Sequence, residues 1–501
     1  MKSRRRIYSR LLIIANMVVA GCSGLSFIQE VPPHLIPGKL YLTPITIEVG
    51  GKEFKAEEGF IVVNENPSDT LSRKNMLPVL KIFSSNRNPA EPIFWLNGGP
   101  GLSNMKYRPM PAMLENHDFV LIGYRGVDGS VNLQSDEIVD AMEGDGRDLL
   151  GDNSLKNLSR AVERFAYELR ANGVDLSHYT MVDVISDLET ARKALGYGKI
   201  NLFSASYGTR LALIYSYLHP DVLCRSAMMC VNPPGRFIWS PKKIDEQLQY
   251  YDSLFATDKN HYDGRSLSYC IKKALKNVPS RWTIFRLDPG KIKATTFAML
   301  FLKGSAALVF DCYRAAEDGD YSGLYMMQLA YDFIFPSSMV WGDLFAKGGT
   351  DFDPSVDYVS SLRDTSTVMG SPLSLLINES AQGHWPVFKI APELCKIQPS
   401  KVQTLLISGS VDFSTPPDYA TELLKSLENG KQVILKEMGH FDDIINLQRA
   451  ALTNLLVRFY DEGVVDDSKY VYDPMNFEPQ VNFPLWAKIL YPFIFVFNLF
   501  W

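Results

Sequence analysis

Three residues far apart in the chain have the types that nucleophilic acyl transfer needs: Ser206, Asp412 and His440. Ser206 lies in Ile200-Asn201-Leu202-Phe203-Ser204-Ala205-Ser206-Tyr207-Gly208-Thr209-Arg210. A strand-like apolar run enters a small-residue turn there, and a helix-like stretch, 210–218, follows at once. So sharp a turn presents a hydroxyl for attack, and Ser204 and Gly208 are the small neighbours it requires. Asp412 follows the apolar run 404–408, and His440 follows the short run 432–435. In such a set the serine attacks a carbonyl, the histidine carries the proton and the acid orients the ring. Taken singly, Ser206 also reads as a helix-start serine, Asp412 as a turn former and His440 as a surface-loop residue. Their order along the chain, each just past a predicted strand, sets them apart from those readings.

Acyl transfer also needs donors for the oxyanion that develops. Upstream, Ile93-Phe94-Trp95-Leu96 reads as a strand ending in Asn97-Gly98-Gly99-Pro100-Gly101. Glycines let a backbone approach substrate closely with its amides turned towards it. The donors are therefore assigned to the Gly98 and Gly99 region and to the Tyr207 amide, which follows the nucleophile.

These segments resemble the α/β-hydrolase peptidases of the proline iminopeptidase and tripeptidyl aminopeptidase family. The matching pieces are Asn97-Gly98-Gly99-Pro100-Gly101, Tyr124-Arg125-Gly126-Val127-Asp128-Gly129-Ser130, Ser206-Tyr207-Gly208-Thr209-Arg210, Asp412 with Thr415-Pro416, and Gly439-His440. Three positions depart from the pattern. Asn97 stands where iminopeptidases usually have His, Tyr124 where a polar residue is common, and Ser204 where the elbow usually has Gly. Trp95-Leu96-Asn97-Gly98-Gly99-Pro100-Gly101 is also similar to serine carboxypeptidases, whose elbow and histidine loop differ from those here. The resemblance implies cap acids that hold a substrate's free amino group. Glu379 is the candidate for that role, with an exposed helix or loop acid as its alternative. Arg125 is read as a residue that holds loops together.

The elements that must carry these residues alternate between strand and helix, which predicts an α/β-hydrolase fold: a mostly parallel sheet with helices on both faces and an inserted helical cap. Strands are expected within about 36–75, at 93–96 and at 119–123. An amphipathic helix is expected over 183–195, where positions 184, 188, 191 and 195 share a face and Gly196 suits the carboxyl cap. The expected divisions are a leader at 1–21, a first core half at 22–235, a cap at 236–397, a second core half at 398–475 and an apolar tail at 476–501.

Lys2, Arg4, Arg5, Arg6 and Arg10 precede a short apolar core and then Val19-Ala20-Gly21-Cys22. This is a targeting segment, and its end resembles a bacterial lipobox with Cys22 as the lipidated residue. The expectation is an exported, lipid-anchored protein of the bacterial cell envelope, with the outer membrane slightly favoured. A plain signal peptide or an uncleaved anchor is the alternative. The tail 485–501 is apolar and aromatic, which suits either an interfacial membrane contact or packing against the body.

The chain of 501 residues is 46% hydrophobic and 21% charged, with a net charge of −5. These values are ordinary for a globular protein. No basic tract reads as a nucleic-acid footprint. Five cysteines follow Cys22; Cys224 and Cys230 read as buried thiols, and pairing of Cys270 with Cys312 stays open. No Cys/His spacing indicates a metal, and the chemistry needs no cofactor. The expected activity is a serine exopeptidase acting from the free amino end of a peptide through an acyl-enzyme. A carboxylic ester hydrolase on the same fold, and a non-catalytic envelope binding protein, are the alternatives.

Overall fold

Two glycines with positive φ, Gly50 at +56° and Gly51 at +81°, turn β1 (Leu40–Val49) back on β2 (Lys52–Asn64). A two-residue turn of this hand matches the twist of an antiparallel pair and fixes Val49 opposite Lys52. β3 (Lys74–Ile82) continues the antiparallel edge, with Val62 opposite Met76. The remaining large strands are β4 (Ala90–Leu96), β5 (His117–Ile122), β6 (Ile200–Ala205), β7 (Leu223–Met229), β10 (Gln403–Gly409) and β11 (Gly430–Leu435), while β8 (Arg281–Trp282) and β9 (Phe285–Arg286) form a separate small hairpin. The computed structural model describes residues 28–352, 358, 360–363 and 366–500. Residues 1–21 and Cys22 therefore lie outside the described residues.

The sheet runs β1-β2-β3-β5-β4-β6-β7-β10-β11, and every pairing from β5 to β11 is parallel. Every residue of β5 and β6 is buried, as central strands are when helices cover both faces of a sheet. One face packs Leu202 and Leu406 against Ile185, Leu188 and Leu211. The other packs Phe203, Leu405 and Ile407 against Leu452, Leu456 and Phe459. The expected amphipathic helix forms at Met181–Ala194. It begins earlier than its apolar spacing suggests, because Thr180 and Asp183 cap each other's backbone amides.

Between β7 and β10 the described residues are mostly helical apart from the β8–β9 hairpin, with helices that include Lys303–Glu317, Ser322–Ile334, Trp341–Gly348 and Pro372–Ala381. We call this insertion the cap. The apolar tail forms a helix, Phe483–Phe500, that packs on two cap helices with Ala487 fully buried and Tyr491 against Trp282 and Phe285. Leu485, Trp486, Ile489 and Phe493 remain exposed on it. Among the described residues, no helix is long and apolar enough to cross a membrane. Cys230, Cys270 and Cys312 are buried free thiols, Cys224 is half-buried and free, Cys395 is half-buried, and Cys270 and Cys312 are not bonded to each other.

Candidate active site

Parallel register places the candidate residues together. Leu96 of β4 is level with Ser204 of β6, Ala205 with Met229 of β7, Met229 with Ile407 of β10, and Gly409 with Leu435 of β11. The segments carrying Gly98, Ser206, Asp412 and His440 therefore leave one edge of the sheet, at the carboxyl ends of its strands.

Ser206 stands between β6 and the helix Tyr207–Leu218 with φ +52° and ψ −125°. Such a backbone costs about 1–3 kcal/mol and persists only where its surroundings enforce it. Here the Ser206 amide donates to Met229 O at 2.9 Å, and its carbonyl accepts from Thr209 Oγ1 at 2.6 Å. Gly208 allows the helix to lie directly on the end of β4, since a Cβ there would be 2.1 Å from Leu96 O. A Cβ on Gly98 would be 3.1 Å from Ser206 Cβ and 3.5 Å from Phe441 Cε1, so the glycine loop, the serine and the residue after His440 meet. The first amides of a helix have no acceptor within it, which leaves Tyr207 N–H at this corner as a potential donor.

Asp412 is fully buried and His440 is 4% exposed. His440 Nδ1 lies 3.0 Å and 2.9 Å from the two Asp412 carboxylate oxygens. Asp412 also accepts from the amides of Ser414 and Thr415, each at 2.9 Å, and from Thr415 Oγ1 at 2.7 Å. Burial alone would raise this carboxyl, but His440 and the Thr415 donors hold it below the usual carboxylate range. With Nδ1 turned to Asp412, the imidazole presents Nε2 on its other side. The His440 ring rests 5.4 Å from that of Phe301 and 4.9 Å from that of Phe441, centre to centre.

The cap reaches each of these loops. His440 N donates to Phe301 O at 2.7 Å, and Trp239 Nε1 donates to Ser414 O at 3.1 Å. Arg210 of the Ser206 helix pairs with Asp351 at 3.2 Å. Gly101 N donates to Asp343 Oδ2 at 3.0 Å. Arg125 serves as a tie between loops: Nε and Nη2 donate to Asp187, each at 2.6 Å, and Nη1 donates to Glu65 O and His178 O.

Glu379 does not join this cluster. It lines a surface cleft with Lys156, Arg160, Glu163 and His384, and none of Ser206, Asp412 and His440 borders that cleft. It faces the 152–171 helix because the cap helix Pro372–Ala381 packs there, a placement that no local sequence pattern encodes.

Two further residues belong to the site. Thr415 was visible as the third residue after the acid, the spacing of a side chain that closes an Asx turn. Cys230 had no such signal. Its Sγ lies within 4.8 Å of ligand atoms of Asp412 and His440. Burial and the Asp412 carboxylate push its thiol well above the usual range, so it stays protonated.

Two stretches of the chain match known family models. Residues 91–268 match the alpha/beta hydrolase fold, and residues 376–470, which include Asp412 and His440, match TAP-like protein. The chain has the α/β-hydrolase fold. Over 211 residues the chain is 31% identical to the tripeptidyl aminopeptidase of Streptomyces lividans and 30% identical to that of Streptomyces coelicolor. Each alignment covers 39% of this chain and 38% of the relative, so the chain matches well under half the length of these relatives. Among solved structures it is similar to the serine hydrolase CCSP0084 from Cycloclasticus zankles, at 12% identity and a TM-score of 0.36 over 85% of this chain and all of that one. It is also similar to the meta-cleavage product hydrolase of Pseudomonas fluorescens, at 12% identity and a TM-score of 0.37 over 78% of this chain and 96% of that one.

Proposed function

We propose that this α/β hydrolase is a serine peptidase that releases residues or short peptides from the free amino end of its substrate. The observation that carries the hydrolytic part is the buried Asp412–His440 pair, on the same sheet edge as the Ser206 turn. The likeness to tripeptidyl aminopeptidases, and the TAP-like segment that contains both residues of the pair, support the peptidase part.

Ser206 Oγ attacks the scissile carbonyl carbon while His440 Nε2 takes its proton. Asp412 holds the Nδ1–H and stabilises the imidazolium. The tetrahedral oxyanion is received by the Tyr207 amide and by the Gly98 and Gly99 amides; one donor of this kind is worth about 2.7–4 kcal/mol in the transition state. His440 returns the proton to the leaving amine, and water attacks the acyl-enzyme by the same route. The leader and Cys22 support action at the outer face of a bacterial membrane under a lipid anchor. The exposed face of the tail helix supports a contact with that membrane.

The test compares peptide anilides with free and acetylated amino ends, and a matched short-chain ester, on wild type and Ser206→Ala. Cleavage of the free-amine anilides alone, abolished by Ser206→Ala, is the expected result. Turnover of only the ester through Ser206 would retain the hydrolase and overturn the peptidase.

A further inference from the structure

The glycine loop beside Ser206 is held by the cap at its last residue. Gly101 N donates to Asp343 Oδ2 at 3.0 Å, and Gly101 O accepts from Val340 N at 2.9 Å. Gly101 has φ +89°, and a Cβ there would lie 2.8 Å from Val340 O, so the contact requires glycine.

Asp343 and its ion-pair partner Lys347 are each 1% exposed. Lys347 Nζ also donates to Arg125 O at 2.9 Å. Asp343 Oδ1 is packed so closely on Gly126 that a Cβ there would be 2.6 Å away. One carboxylate from the cap therefore meets two core loops, 97–101 and 124–126. These loops are tied to each other independently: Tyr124 OH donates to Asn97 O at 3.3 Å, and Asp128 accepts from the amides of Tyr124 and Asn104 at 2.8 Å and 3.0 Å.

A buried ion pair is a poor device for stability alone, since apolar residues of the same volume often serve as well or better. A carboxylate adds a fixed acceptor for one amide proton. Here that amide belongs to the loop whose Gly98 lies against Ser206.

We propose that Asp343 is a positioning residue for the oxyanion hole: by holding Gly101 N–H it sets the Gly98 and Gly99 amides against Ser206. The inference rests on the serine-hydrolase reading of the site. It makes a formed hole depend on a docked cap, so a substrate that fits beneath the cap is also the one for which the hole is in register.

Two double variants separate positioning from a structural pair. Asp343→Asn/Lys347→Met removes both charges and keeps an acceptor for Gly101. Asp343→Leu/Lys347→Met removes both charges and the acceptor. Three readouts are taken on the full chain: hydrolysis of a free-amine tripeptide anilide, the inhibition constant of a peptide boronic acid, and the rate of fluorophosphonate labelling of Ser206.

The leucine variant should lose on the order of 10- to 100-fold in kcat, as expected for misplacement by a fraction of an ångström to one ångström. Its KM should stay near wild type, and its boronate affinity and labelling rate should fall in proportion. The asparagine variant should stay within about threefold of wild type on all three, because its acceptor is retained. Equal losses in both folded variants would overturn the proposal and leave the pair a structural one. So would a loss confined to KM. If the anilide is not cleaved while Ser206 labels, the labelling rates alone decide in the same way. If wild-type Ser206 fails to label, the hydrolase reading falls and takes the proposal with it.

Discussion

Replacing Gly208 by alanine tests how the nucleophile turn is built. A Cβ there would lie 2.1 Å from Leu96 O, 2.6 Å from Leu96 C and 2.7 Å from Asn97 O. All three are backbone atoms at the end of β4, so no side chain can swing aside. Ordinary contact begins near 3.4 Å, and the helix Tyr207–Leu218 must part from β4 by about 1.3 Å. Overpacking of this kind costs about 1–3 kcal/mol. Alanine's better helix propensity returns about 0.5–1 kcal/mol, leaving a net loss. The same displacement carries Asn97 and the glycine loop away from Ser206, and an ångström of misplacement costs on the order of 100-fold in rate. Gly208→Ala is therefore expected to lower the thermal midpoint by a few degrees and kcat by about two orders of magnitude. Gly98→Ala is the control for stability. Its Cβ would sit 3.1 Å from Ser206 Cβ, a distance that a few tenths of an ångström relieve. Thermal melts and anilide or ester kinetics on both variants make the comparison. A Gly208→Ala protein as stable and as active as wild type would refute the close seating of the turn on β4.

Asp412→Asn should lower kcat about 10⁴-fold with little change in KM, because the amide cannot hold the Nδ1–H tautomer or stabilise the imidazolium; a loss below tenfold in steady-state kinetics would contradict the role of the pair. Arg125→Met should cost about 3–5 kcal/mol in urea unfolding, since it strips Asp187 of its bidentate partner in the interior; an unchanged midpoint would contradict it. Burial pushes the carboxyls of Glu65, Asp128, Asp187 and Asp343 up. A raised folded pKa gives a contribution that is full below the unfolded value of about 4 and is lost as pH rises through the folded value. Asp412, held low, has the opposite sign: its contribution is present above about 4 and is lost as pH falls through its folded value. The thermal midpoint should accordingly rise as pH falls through the raised folded values and drop in stronger acid, as Asp412 is protonated. A midpoint that climbs steadily from pH 5 to 8 would contradict this balance.

The residues most legible in the sequence are those whose chemistry depends on local backbone. The Ser206 turn and the Gly98–Gly99 loop are each set by neighbours a few positions away, and small residues mark them; apolar spacing marked the 181–194 helix but not its start at the Thr180 cap. Asp412 and His440 were legible because each follows a short apolar strand and the fold fixes their order. β3 was hidden by Pro78, which has no amide to donate, yet the strand pairs on both sides and Pro78 O accepts from Gly123 N at 2.8 Å. Contacts made by the cap were not legible. Asp343 meets Gly101 across 242 positions, and nothing near either residue encodes the meeting. Glu379 shows the reverse case: its type suits an amine, but helix packing turns it to another cleft.

The most direct test of the account is to treat the protein with a fluorophosphonate and locate the adduct by mass spectrometry. The account predicts one modified serine, Ser206, with labelling abolished in Ser206→Ala and strongly slowed in His440→Ala. An adduct on another serine, no adduct at all, or equally fast labelling without His440 would contradict it.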